Sequence, residues 1–256
     1  MLHSKKYTCE KSKDEIMKKK IIKIVIVACF GIILGFSGFA HSQKSFFIWT
    51  DGYVAGTVDE EVSIAFTFLT PDRNLERTLE SVSFSDDSYV SVENVQVSKM
   101  DTRYKVYQFY GITVDVKLNK PGETKIDAVV FHYNNGSEKK YVLGDWVYDI
   151  GNIDDGSINT WESVAASSSS AEFAYDYACD KNDILSCQIY TGINHATQAE
   201  RKENEKFSGT VDISESGAPL KYIRSKIVYT EDAQEKVTYG KGCYCGAMGL
   251  TKEGIE

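Results

Sequence analysis

Between residues 46 and 150 the apolar residues recur with a period of two. Val62, Ile64, Phe66 and Phe68 alternate with small or polar residues, and so do Ile112, Val114, Val116 and Leu118. Successive side chains of a strand point to opposite faces, so this alternation marks strands with one buried face. Residues 89–97 also alternate, but the phase slips at Asn94, which predicts a bulge. Further strands are expected at 46–50, 104–110, 125–133 and 139–149. The last two flank Asn134-Asn135-Gly136-Ser137, and Asn-Gly tolerates the positive φ that a tight hairpin needs. Pro121-Gly122 supplies another turn. The pattern predicts a mainly β chain whose residues 44–150 form an antiparallel β-sandwich of immunoglobulin-like type. Trp146, in mid-strand, is expected to anchor its core. A fold class of this kind carries no activity with it.

A second, smaller β-rich unit is expected over 172–256, with strands at 173–179, 184–193, 207–213, 221–230 and 236–239. Residues 197–206 are highly charged without an apolar stripe and read as a short exposed helix or a loop. Residues 151–171 join the units through an acidic turn and the run Ala165-Ala-Ser-Ser-Ser-Ser-Ala171, a linker composition. The acidic turn fails as a calcium loop. With Gly156 at its sixth position, the first and third positions fall on Gly151 and Ile153, which offer no carboxylate.

Location is written at the N-terminus. Lys18-Lys19-Lys20 precede an apolar core over 24–36, followed by Ser37-Gly38-Phe39-Ala40. A signal core needs about 7 to 15 apolar residues and a spanning helix about 20, so 17–42 reads as a signal peptide or a retained membrane anchor. Small residues place cleavage after Ala40 or after Ser42. Residues 1–16 are a polar lead, and Met17 is the better start. Either outcome exports the C-terminal part, because the lysines stay inside. Cys29 does not read as a lipidation site, since the sequence after it stays hydrophobic. The polar C-terminal residues carry no surface-attachment signal, so the N-terminal segment would make any membrane contact.

Charge narrows the partners. The chain carries 29 Lys+Arg and 37 Asp+Glu, and residues 1–40 hold eight of the lysines and three of the acids. The exterior is therefore strongly acidic, which argues against nucleic acid and against anionic lipid. Four cysteines lie beyond the leader: Cys179, Cys187, Cys243 and Cys245. In an exported domain they read as two disulfides. A Cys243–Cys245 link would close a strained ring, which leaves 179–243 with 187–245, or 179–245 with 187–243. The spacing between Cys179 and Cys187 is too wide for paired zinc ligands.

Chemistry leaves few traces. There is no Gly-x-Ser-x-Gly elbow, His-Glu-x-x-His helix, P-loop or dinucleotide fingerprint. His132 reads as a strand histidine, His195 as a loop histidine, and Asp86-Asp87 and Asp59-Glu60-Glu61 as turn and edge charges. No catalytic residue, metal ligand or cofactor is assigned. The expected role is a non-catalytic surface module that binds an extracellular protein or glycan, or an accessory subunit of a membrane complex. Sixteen tyrosines, good rigid contact residues, support it. The alternative is an extracellular hydrolase using a carboxylate pair, which would leave no local motif.

Overall fold

The computed structural model describes residues 44–156, 158, 172–202, 206–213, 218 and 220–246. The leader, the cleavage candidates Ala40 and Ser42 and most of the serine-rich connector lie outside them.

The first stretch contains β1 (Phe46–Phe47), β2 (Thr50–Thr57), β3 (Glu61–Thr70), a helical turn α1 (Leu75–Thr78), β4 (Leu79–Phe84), β5 (Val90–Tyr104), β6 (Tyr107–Leu118), β7 (Gly122–Tyr133) and β8 (Glu138–Gly151). The second contains β9 (Glu172–Ala178), β10 (Ser186–Gly192), β11 (His195–Glu200), β12 (Lys206–Asp212), β13 (Leu220–Arg224), β14 (Lys226–Glu231), β15 (Gln234–Tyr239) and β16 (Cys243–Gly246).

The alternating segments fold as the β-sandwich their pattern implies. One sheet runs β1-β3-β6-β5 and the other β16-β13-β2-β8-β7-β4. Their facing side chains make one core, in which Phe66 meets Trp146 edge-on at 5.0 Å between ring centroids and Tyr222 stacks on Trp146 at 5.7 Å. The phase slip near Asn94 is a bulge, since the β5–β6 register shifts between Val92 and Asn94. The Asn-Gly turn closes the β7–β8 hairpin with Gly136 at φ +78.

Two features depart from the expectation. Most pairings are antiparallel, but β2 runs parallel to both β8 and β13. A strand flanked on both sides by parallel neighbours is covered on both faces, and nearly all of β2 is buried. Its glycines hid it from the sequence reading. A Cβ on Gly52 would fall 2.2 Å from the Trp146 ring, so that ring occupies the space a side chain would need. The charged stretch expected as a helix or loop instead contributes β11, an edge strand paired with β10, where only one face must be apolar and Ala199 supplies it.

The six-stranded sheet draws β13 and β16 from beyond the connector, so the two stretches share a sheet. The remaining C-terminal strands form a four-stranded sheet, β11-β10-β14-β15, and a pair, β12-β9, around a second core. Strand alternation explains the sharing. On β13, Tyr222 faces the first core and Ile223 the second; on β16, Tyr244 packs on the first while Cys243 and Cys245 enter the second. The expected strand over 221–230 breaks at the fully buried Ser225, where the chain passes from the six-stranded sheet into the four-stranded one.

Candidate functional site

The outward face of the six-stranded sheet meets the β10–β11 hairpin in an open cleft of about 370 Å³. Val54, Trp146 and Tyr148 point into the first core, so alternation turns Asp51 and Tyr53 of β2, and Asp145 and Val147 of β8, toward the cleft. Lys221 and Ile223 of β13 extend this floor, and Thr191, Ile193, Asn194 and His195 form the opposite wall.

Both walls are shaped by bulges, devices that re-aim side chains at functional sites. In β8, Leu143–Asp145 lie opposite the single Asp127, because Ile126 pairs with Trp146 and Ala128 with Val142. Gly144 takes φ +141 there, and a Cβ on it would sit 2.2 Å from the Thr50 carbonyl oxygen. The kink aims the Asp145 N–H at Asp51 Oδ1, 2.9 Å away. The Trp49 indole N–H donates to the same oxygen at 2.9 Å, which holds the ring, 44% exposed, beside Asp51. On the opposite wall the β10–β11 register shifts between Tyr190 and Gly192, and Thr191 Oγ1 lies 3.3 Å from His195 Nδ1. Asp51 Oδ2, the Asn194 amide and His195 Nε2 make no hydrogen bond among the described residues.

The base of the wedge is held by charge. Tyr53 donates its hydroxyl to Asp149 Oδ2 at 2.8 Å, and Lys226 Nζ lies 3.1 Å from the same oxygen. Burial, then the Asp149 carboxylate, pushes the Tyr53 phenol far above its ordinary range. Glu60 pairs with Arg224 at 2.5 Å, tying the β2–β3 turn to β13. Asp155, from the rejected calcium loop, accepts from the Val237 N–H at 2.9 Å and pairs with Lys236 at 3.2 Å.

Other candidates fall away from the cleft. His132 is held between Ser83 Oγ and Glu138 Oε1 at 2.9 and 3.1 Å. Asp86 accepts from the Ser88 N–H, and Asp59 pairs with Lys117, both turn roles. Cys179, Cys187, Cys243 and Cys245 are all buried thiols of the second core. Cys243 and Cys245, the partners that spacing disfavoured, have sulfurs in contact at 3.8 Å, against about 2.05 Å for a disulfide. Burial, then Cys179, pushes the Cys187 thiol up to about 12. A thiol kept neutral is a poor nucleophile, and His195 lines the cleft rather than serving it.

Sequence reasoning missed Asp51, Asp145, Asn194 and Trp49. Asp51 lies beside a glycine and reads as a turn. Asp145 reads as one charge in a strand, and the bulge that aims its N–H leaves Gly144 as its single trace.

No protein-family model matches the chain, and no curated protein matches it. Among solved structures it is similar to the Bacteroides ovatus mixed-linkage glucan utilization locus SGBP-B in complex with a mixed-linkage heptasaccharide. Identity there is 8%, TM-score 0.27, and coverage 76% of this chain and 42% of that one. The fibronectin(III)-like modules of Clostridium thermocellum CbhA match at 8% identity and TM-score 0.23, over 79% of this chain and 92% of that one. Domains 4–9 of the surface layer protein SbsC match at 12% identity and TM-score 0.24, over 78% and 31%. Likeness at this level says nothing about what this chain binds.

Proposed function

We propose that this chain is an exported binding protein, secreted or held at the cell surface by its N-terminal segment, which captures an extracellular protein or glycan in the cleft between its two cores. An accessory role in a surface complex uses the same cleft. The observation that carries the reading is the pairing of two bulged walls with polar groups that have no hydrogen-bond partner among the described residues, Asp51 Oδ2 and the Asn194 amide. Rigid walls with a few converging polar groups are what a preformed ligand site requires.

Cleavage after Ala40 or Ser42 belongs to this proposal, as does oxidation of the four cysteines in pairs. The pairings proposed remain 179–243 with 187–245, or 179–245 with 187–243, because a link between the neighbouring Cys243 and Cys245 would close a strained ring. Intact mass of the protein from its native host, with and without thiol alkylation, tests the export. A mass starting at His41 or Gln43 with protected thiols supports secretion, and a mass retaining the apolar segment supports anchoring. Recovery in the cytoplasmic fraction with four reactive thiols contradicts it.

A second reading is a hydrolase, because Asp51 and Asp145 share the cleft. Glycosidases work with such pairs, one carboxylic acid sitting in an apolar pocket. Here Asp145 is exposed and paired with Lys125 at 3.0 Å, and Asp51 accepts two N–H bonds, which are holding roles. The binding reading expects no release of reducing sugar from polysaccharides. Release that Asp51→Asn abolishes would establish the hydrolase.

A further inference from the structure

We infer that the ligand of the cleft is a glycan, held by Asp51 and Asn194 as its hydrogen-bonding pair and stacked on Trp49, whose indole is bonded to Asp51; this rests on the cleft being a binding site. A pyranose ring presents an apolar C–H face beside vicinal hydroxyls. It calls for an exposed aromatic plane next to acceptors and donors that already hold a fixed geometry. Trp49 supplies the plane. Its indole N–H is committed to Asp51 Oδ1, so ring and carboxylate are locked together as one unit. The Asp145 N–H, delivered by the Gly144 bulge, holds the same oxygen from the other side and leaves Oδ2 open to hydroxyl donors. Across the cleft Asn194 offers an amide that both donates and accepts, on a hairpin tip fixed by the Thr191–His195 contact. The volume of about 370 Å³ falls in the small-ligand range. A peptide partner would favour a larger, flatter surface with an apolar centre, whereas this open cleft is small and sets one exposed apolar side chain, Ile193, among several polar groups beside the indole.

Affinity electrophoresis tests this with the intact chain in gels containing mixed-linkage β-glucan, xylan, galactomannan or starch, and a parallel peptide array tests the protein alternative. Retardation by at least one polysaccharide is expected. Trp49→Ala and Asn194→Ala should each weaken it by about tenfold or more. Neither change removes a core contact, so melting temperatures should stay together. Retardation unchanged in both variants overturns the site while leaving a glycan-binding protein. Peptide binding that Trp49→Ala abolishes, with no polysaccharide retarding the protein, overturns the glycan and keeps the cleft. No binding in either format overturns both this inference and the reading beneath it.

Discussion

Trp49 and Trp146 place the same side chain in opposite surroundings, and their substitutions should separate function from stability. Trp146 is fully buried between Phe66 and Tyr222. Trp146→Ala should cost about 3–5 kcal/mol, the usual result of emptying an aromatic site in a core, seen as a lowered urea midpoint. Trp49, half-exposed, should change stability by about 0.5 kcal/mol or less. Gly52→Ala tests the contact from the other side. Its new methyl group collides with the Trp146 ring, so a loss comparable to overpacking, about 1–3 kcal/mol, is expected in the same denaturation experiment. The alternation that placed Trp146 in a core was legible in the sequence. The role proposed for Trp49 was not, since an exposed indole gains its meaning from Asp51, to which it is bonded.

At the scale of elements, strands were legible where alternation was clean and illegible where both faces are covered. β3 and β6 read directly because one face meets the core and the other is largely open, and β7 and β8 because the Asn-Gly turn between them marks the hairpin. β2 did not, because two glycines and a neighbouring aspartate disguise a strand that is buried on both sides. The run over 221–230 looked continuous, and nothing local tells that Ser225 divides it between sheets. The anchoring of β15 offers a pH test. The Val237 N–H, then Lys236, hold Asp155 below the usual carboxylate range. The unfolded chain therefore takes up this proton first. The stabilisation is complete above about pH 4 and is lost as pH falls through the lower folded value. Asp155→Asn should flatten the decline of melting temperature between about pH 5 and pH 2. An unchanged acid slope would show that this contact does not form in solution. Tyr244 gives a second test. Its hydroxyl donates to the Ala65 carbonyl at 2.6 Å and accepts the Ala65 N–H at 2.7 Å, standing in for a strand at the β3 edge. Tyr244→Phe should cost about 1 kcal/mol by denaturant titration.

At the scale of the molecule, β13 and β16 each contribute alternate residues to two cores, and the cleft exists because the second core leans on the outward face of the first sandwich. The serine-rich connector suggested two units side by side. Shared strands impose a different energetics, because unfolding either core strips a face from β13 and β16 and exposes apolar surface in the other. The Asp149–Lys226 and Glu60–Arg224 pairs add polar ties across the same junction. A ligand site built on such a junction is as rigid as the coupling between the cores. Differential scanning calorimetry of the purified chain measures that coupling directly. One transition is expected, with equal calorimetric and van 't Hoff enthalpies, and it should move as a whole in both Tyr222→Ala and Ile223→Ala. Two resolved transitions, each shifted by one of these substitutions alone, would contradict the shared-strand architecture and the fixed cleft it creates.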